Sequence, residues 1–326
     1  MILHFFKNNT PVSYILLPLF ALALWVLTFV SPLLFSAQPT MPFFELANPV
    51  LKMPLLSTFI AFLLIISEAF LLNFIVNENE IITKQSYLPA LFYVSFMSTH
   101  FTMQVLHPLI FSNFFVLLAL YRLLSSYRKD NAFSNAFDSG IFLSIASLFY
   151  FPNIVFFPLL GIGLILIRPF SWREWLISFF GVIVPYFFVL VYFFWNDRLD
   201  TFWNDLLFYF HFNFHAQNPV SNSSYFIFSI GSLMILLSFA KLLNDLSFGS
   251  QKSKKGIRLL LWFSLFSCIS LLFTPEFSAK YFSSLAIPFS VFCSNYFLTL
   301  KKTWWGEFLF ILFISAIIFG QVCNFL

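Results

Sequence analysis

Few ionisable residues are placed where they could do chemistry. Glu45 is the single acid of a proline-rich stretch, and Lys280 stands directly before Tyr281 at the end of the polar turn 274–280. A carboxylate in such a loop can act as general base or metal ligand, and an ammonium can neutralise a phosphate through charge-assisted hydrogen bonds. A third group, Asp197, Arg198, Asp200 and Asp205, is followed by His211 and His215. On a helix two histidines four apart share a face and could hold a metal, but no third ligand is specified, so surface or interfacial histidines are the competing reading. His100 and His107 flank another turn, with the same two readings. Glu68 differs from all of these, because it interrupts an apolar run beside Ser67, with Asn73 further on. A carboxyl inside a membrane is costly and is a functional candidate, either in a proton relay or simply hydrogen-bonded to a neighbouring helix.

The elements that must position these residues follow from composition. Apolar residues make up 60% of the chain and charged residues 9%, which leaves too little polar surface to cover a water-soluble core. The solvent must be lipid. The net charge of +4 argues for no nucleic-acid partner, since a membrane protein keeps its cations on one side for reasons of insertion. Cys268, Cys293 and Cys323 lie in apolar runs without metal or disulfide spacing. The 53 phenylalanines are spread over every span, as expected of lipid-facing bulk and not of one aromatic site. Walker A, dinucleotide-loop, HExxH and nucleophile-elbow patterns are missing from the sequence, which weakens ATP-driven transport and soluble-type hydrolysis.

The pattern predicts an all-α polytopic integral membrane protein forming a single transmembrane domain over 1–326, with about eleven spans. Two runs are broken midway. Residues 87–124 soften at Ser98-Thr99-His100 through His107-Pro108, and residues 139–167 break at Pro152-Asn153. Each half falls short of the roughly 20 residues a full crossing needs, so short helix pairs are expected. Non-helical backbone at that depth persists only inside protein or around a water-filled cavity. External segments are expected at 36–53, 100–108, 196–221 and 274–280, the third in a pattern compatible with an interfacial helix. Cytoplasmic segments are expected at 1–12, 77–86, 121–138, 168–174, 244–258 and 301–303. This arrangement puts fourteen of the 17 Lys and Arg residues inside and only Lys52, Arg198 and Lys280 outside, as the positive-inside rule requires. The N-terminus is then cytoplasmic and the C-terminus periplasmic. Cations on the disfavoured side, together with Glu45, Asp197, Asp200, Asp205 and Glu276, suit a water-filled external cavity for an anionic, lipid-attached substrate; solvated loop charge is the competing reading.

Two stretches carry a resemblance. The run L-F-Y-F-P-N-I-V-F-F-P-L-L-G-I-G-L-I-L-I-R-P-F-S-W-R-E-W-L resembles the central hairpin of polytopic glycosyltransferases of the GT-C superfamily. Lys280-Tyr281-Phe282 with Ile287-Pro288 resembles their [RK]-Y-(apolar)-P signature. The resemblance implies a GT-C-like helix arrangement and a polyprenyl-phosphate-linked sugar as substrate on the external face. It implies a catalytic role for the first-loop acid, Glu45, and contact of Lys280 and Tyr281 with the carrier phosphate. Asp197, Arg198, Asp200, His211 and His215 would line the substrate cavity. The single Glu departs from the usual Asp with a second acid close by, and no soluble external domain follows. From H-F-F-K-N-N-T-P-V-S-Y to K-K-T-W-W-G-E-F, the whole chain more closely resembles a family of polytopic inner-membrane proteins of Bacteroidota that brings no activity with it. The expectations are therefore a membrane glycosyltransferase, with a divalent metal as an open option; a non-catalytic subunit scaffolding an envelope-assembly complex with a membrane-protein partner; or a proton-coupled transporter using Glu68.

Overall fold

The computed structural model describes residues 2–8, 11–32, 41–45, 48–82, 84–129, 131–209, 222–245, 250–274 and 278–325. Among them the secondary structure is helical throughout: α1 (Ile2–Phe6), α2 (Pro11–Val30), α3 (Pro42–Glu45), α4 (Asn48–Leu51), α5 (Pro54–Glu78), α6 (Leu88–Met97), α7 (Pro108–Leu124), α8 (Phe133–Phe149), α9 (Phe157–Ile167), α10 (Trp172–Trp195), α11 (Leu199–Phe208), α12 (Asn222–Asp245), α13 (Gln251–Ser270), α14 (Ser283–Thr299) and α15 (Thr303–Phe325). Proline opens α5, α6, α7 and α9, where its missing N–H would have had no intrahelical partner anyway.

Six helices, α2, α5, α10, α12, α13 and α15, are long and apolar enough to cross a membrane. Many of their side chains, such as Ile15, Phe59, Phe188 and Ile311, are exposed and apolar, which is stable only with hydrocarbon around them. The chain is thus an all-helical, multi-pass membrane protein. Between these long helices lie shorter ones: α6 has 10 residues, α7 and α8 have 17 each, and α9 has 11. At 1.5 Å per residue α6 extends only ~15 Å, half of a ~30 Å hydrocarbon core.

Both midway breaks are 3-10 segments. Phe101–Met103 joins α6 to α7, and Phe151–Phe156 joins α8 to α9. Protein surrounds the exposed backbone of the second. Ser112 donates to the Ala146 carbonyl at 2.7 Å, and Asn153, fully buried, donates its amide to the Ser112 hydroxyl, so the start of α7 clasps the end of α8. The first break is tied to long helices: the Trp25 indole donates to Ser98 at 3.2 Å, the Gln321 amide donates to the Ser98 carbonyl at 2.9 Å, and Thr28 bonds Gln104.

Two polar loops of the sequence reading turn out to be partly helical. Helix α8 starts at Phe133, inside 121–138, because Asn135 donates to the Arg122 carbonyl at 3.3 Å and Asp138 pairs with Arg122 at 3.4 Å. Helix α13 starts at Gln251, inside 244–258. Ser250 caps it by accepting from the Ser253 amide at 3.2 Å, and Lys252 and Lys255 reach the carbonyls of Glu78 and Ile167 at 2.8 and 2.9 Å. These contacts gather the start of α13 and the ends of α5 and α9 at one end of the bundle, the basal end, where the Tyr14–Tyr87 ring contact also places the start of α2. The opposite, apical end holds both 3-10 breaks, α3, α11 and the start of α14.

Candidate functional site

The apical end has its own buried cluster, separate from the main core. Met41 beside α3, Leu109 of α7, Tyr150 and Phe151 at the second break, Val189 and Phe193 of α10, Phe202 and Tyr209 of α11, and Tyr281 pack together there. Tyr150 stacks on Tyr281 with ring centroids 5.9 Å apart and meets Tyr209 edge-on at 5.8 Å. This aromatic floor explains how charged residues far apart in sequence come to share one surface.

Helix α11 supplies one wall. Arg198, Phe202, Asp205 and Tyr209 recur at helical spacing on one face, with Phe202 and Tyr209 buried, while Asp200, Trp203 and Asn204 point outward. Asp197, just before the helix, takes a positive φ of 53° and is exposed. Glu45, the last residue of α3, is exposed on one side and faces α11. Loss of solvent on its covered side raises its carboxyl above the ordinary range; the Asp205 charge raises it further, and the Arg198 guanidinium pulls it back. Burial also raises Asp205. Burial, then the Asp205 charge, raises the Tyr209 phenol.

The opposite wall is the 3-10 segment Ala279–Phe282, which packs on Phe101–Met103. Lys280 projects its ammonium over the Tyr281 ring at 5.0 Å from the centroid. His107, at the first break, is buried, and its imidazole is held neutral chiefly by burial and then by the nearby Lys280 charge. Neither His107 ring nitrogen nor the Tyr150 hydroxyl has a hydrogen-bond partner among the described residues. Buried groups of this kind are seldom left without partners in native proteins, which marks these inward-turned polar atoms as part of the candidate site.

The residues expected from sequence therefore divide. Glu45, Arg198, Lys280 and Tyr281 converge at the apical end. Asp197 and Asp200 lie on the outer surface beside it, and His211 and His215 fall outside the described residues. Asp205 stood among the external charges and His107 beside a turn in the sequence, whereas Tyr150 is a participant that the sequence did not single out. The periodicity from Arg198 to Tyr209 was a usable signal for Asp205. His107 and Tyr150 each stand at a proline-marked break of an apolar run, which is where a polar side chain can be turned inward.

Glu68 is elsewhere. It lies fully buried near the middle of α5, where it accepts a hydrogen bond from the Tyr93 hydroxyl at 2.7 Å. Nearby, the Asn113 amide meets Ser283 at 3.4 Å and its carbonyl accepts from Ser284 at 2.9 Å, linking α7 to the start of α14. No group of three His, Cys, Asp or Glu side chains placed to hold a metal occurs among the described residues. Glu45 and Asp205 supply two carboxylates, short of a complete protein donor set.

An all-helical multi-pass bundle with a polar, aromatic-floored apical site defines the class. Within it, the chain belongs to the family of unknown function DUF6427, whose model matches residues 41–325. No curated protein and no solved structure matches it.

Proposed function

We propose that this protein is a membrane glycosyltransferase that takes a polyprenyl-phosphate-linked sugar at the external, apical end of the bundle. The observation that supports this reading is the convergence of Glu45, His107, Arg198, Asp205 and Lys280 over one aromatic floor, from four separate parts of the chain. In this reading the helix arrangement is GT-C-like, with eleven crossings in the inner membrane, the short helices counted singly. The N-terminus is cytoplasmic and the C-terminus periplasmic.

The roles follow from chemistry. Glu45 takes the proton of the acceptor hydroxyl, and the acceptor oxygen bonds to the anomeric carbon as the bond to the carrier phosphate breaks. A carboxylate with a raised pKa is a stronger base than an ordinary one. The polyprenyl phosphate leaves as an anion neutralised by Lys280, with Tyr281 beside it. Asp197, Arg198 and Asp200 border the cavity mouth. A divalent metal, if used, would be held by Glu45 and Asp205 with ligands from the substrate, and no step above depends on it.

A second reading rests on the Glu68–Tyr93 bond: a proton-coupled transporter in which Glu68 carries the proton. To separate the readings, the protein is purified in native lipid, and co-purifying polyprenyl-phosphate species are quantified by mass spectrometry. Carrier present in the wild type and lost in Lys280→Ala but retained in Lys280→Arg supports the transferase. A carrier indifferent to Lys280, or none at all, overturns the phosphate site and favours a non-catalytic subunit of an envelope-assembly complex. Loss of function only with Glu68→Gln favours the transporter.

A further inference from the structure

At the basal end, far from the apical site, a cavity of about 500 Å3 opens between α2, α5 and the segment leading into α6. A volume of this size is typical of small-molecule and headgroup sites. Its walls are tied together by hydrogen bonds. The Tyr87 amide donates to the Phe6 carbonyl at 2.9 Å, and Asn77 makes two 3.3 Å hydrogen bonds with the main chain of Ser86, which clamp the 84–87 segment to α5.

The chemistry of the lining is one-sided. Tyr14 presents an aromatic wall with Phe70, stacked at 5.8 Å, and with Tyr87, edge-on at 4.7 Å. Glu78 stands at the exposed rim and Gln85 beside it. Asn73 lines the interior, is 4% exposed, and its side-chain carbonyl oxygen has no hydrogen-bond partner among the described residues. No Lys, Arg or His lines the cavity among the described residues. Lys252 approaches from α13 but is engaged with the Glu78 main-chain carbonyl. An acid, aromatic faces and an unused acceptor favour a cation that can donate hydrogen bonds, and disfavour an anion.

Depth points to a lipid. Asn73 lies five residues before the end of α5, ~7.5 Å inside it at 1.5 Å per residue. That is headgroup and glycerol level, and the exposed apolar flank of α2 (Ile15, Leu19) continues from it towards the bilayer core. We propose that this cavity binds the headgroup of a phospholipid bearing a primary ammonium, the ethanolamine type. Its N–H groups reach Asn73 and its charge faces Glu78 and the tyrosine rings. A choline headgroup carries no N–H, so it would leave the Asn73 oxygen unpaired; a glycerol headgroup leaves a net negative charge facing Glu78.

The test is native mass spectrometry of the full chain in detergent, with an equimolar mixture of phosphatidylethanolamine, phosphatidylcholine and phosphatidylglycerol of identical acyl chains. Ethanolamine adducts should exceed choline adducts about fivefold or more, the low end of what one unmet buried acceptor is worth. Asn73→Ala should bring these two to parity, and Glu78→Lys, at the exposed rim, should turn the preference towards phosphatidylglycerol. Equal or stronger phosphatidylglycerol binding by the wild type overturns the proposal, as does an ethanolamine preference unchanged by both substitutions. Full displacement by soluble glycerophosphoethanolamine would overturn the assignment to a lipid.

Discussion

Tyr93 of α6 donates its hydroxyl to Glu68 Oε2 of α5 at 2.7 Å, and both side chains are fully buried in the middle of the bundle. Tyr93→Phe removes the donor while keeping the ring, so it should lower stability by about 1–3 kcal/mol, the cost of an orphaned buried polar group. Glu68→Gln keeps an acceptor for Tyr93 and should cost clearly less. Thermal unfolding of both variants in the same detergent checks the order; equal losses would mean that the bond contributes little.

Helices α8 and α10 touch backbone to backbone. A Cβ at Gly140 would overlap the Ser178 carbonyl, and one at Gly181 would overlap the Phe137 carbonyl. Small residues let two helices approach this closely in a membrane, where packing itself drives association. Gly181→Leu should therefore cost at least the 1–3 kcal/mol typical of overpacking, and it should reduce the yield of folded protein. Gly231→Ala, where the added methyl meets only the Phe313 ring at 3.6 Å, should be neutral or slightly stabilising. Monodispersity and thermal unfolding compare the two.

How much of this was legible before the structure depends on the residue. The helical class, the membrane and the two interrupted runs follow from hydropathy and from prolines, which act locally. Polar stretches misled where tertiary contacts extended a helix: Asn135 and Asp138 of α8 are satisfied by Arg122, and the lysines of α13 by carbonyls at the ends of α5 and α9. Sequence supplies no such partners. At the apical site Glu45 and Lys280 stood out because charge is rare in this chain, and His107 because it flanks a turn, whereas Tyr150 did not, since its inward orientation is set by a break whose geometry comes from neighbouring helices. The basal cavity left no sequence signature, because Asn73 and Tyr14 matter only through their juxtaposition.

Arg168 and Glu174 form an ion pair at 3.0 Å beneath the basal surface, with side chains 12% and 5% exposed. Arg168 also donates to the Ser126 carbonyl at 3.1 Å and to that of Lys129, so it closes the α7–α8 connection over the start of α10. Glu174→Ala leaves a guanidinium buried without its counter-charge and should cost about 3–5 kcal/mol. The double replacement of Arg168 and Glu174 by Met should be less damaging than Glu174→Ala alone, since it removes both charges. Denaturation in detergent measures this, and a double variant worse than the single one would show that the main-chain bonds of Arg168 outweigh the pair.

The Glu45 carboxyl offers the most direct reading of the apical site. Its folded pKa lies above the ordinary 4.5, raised first by burial and next by Asp205, and lowered by Arg198. Because the folded state holds the proton more tightly than the unfolded chain, the associated stability is present below about pH 4.5 and is lost as pH rises through the folded value. The neighbours set opposite signs. Asp205→Asn removes a negative charge and should move the Glu45 titration down towards 4.5; Arg198→Ala removes a positive charge and should move it up. Carboxyl-selective 13C NMR of the labelled protein reads both shifts without any knowledge of the substrate, and any acid limb in a pH–rate profile should follow in the same directions. If neither substitution moved Glu45, α3 and α11 would not share a surface in solution, and the proposed catalytic arrangement would lose its basis.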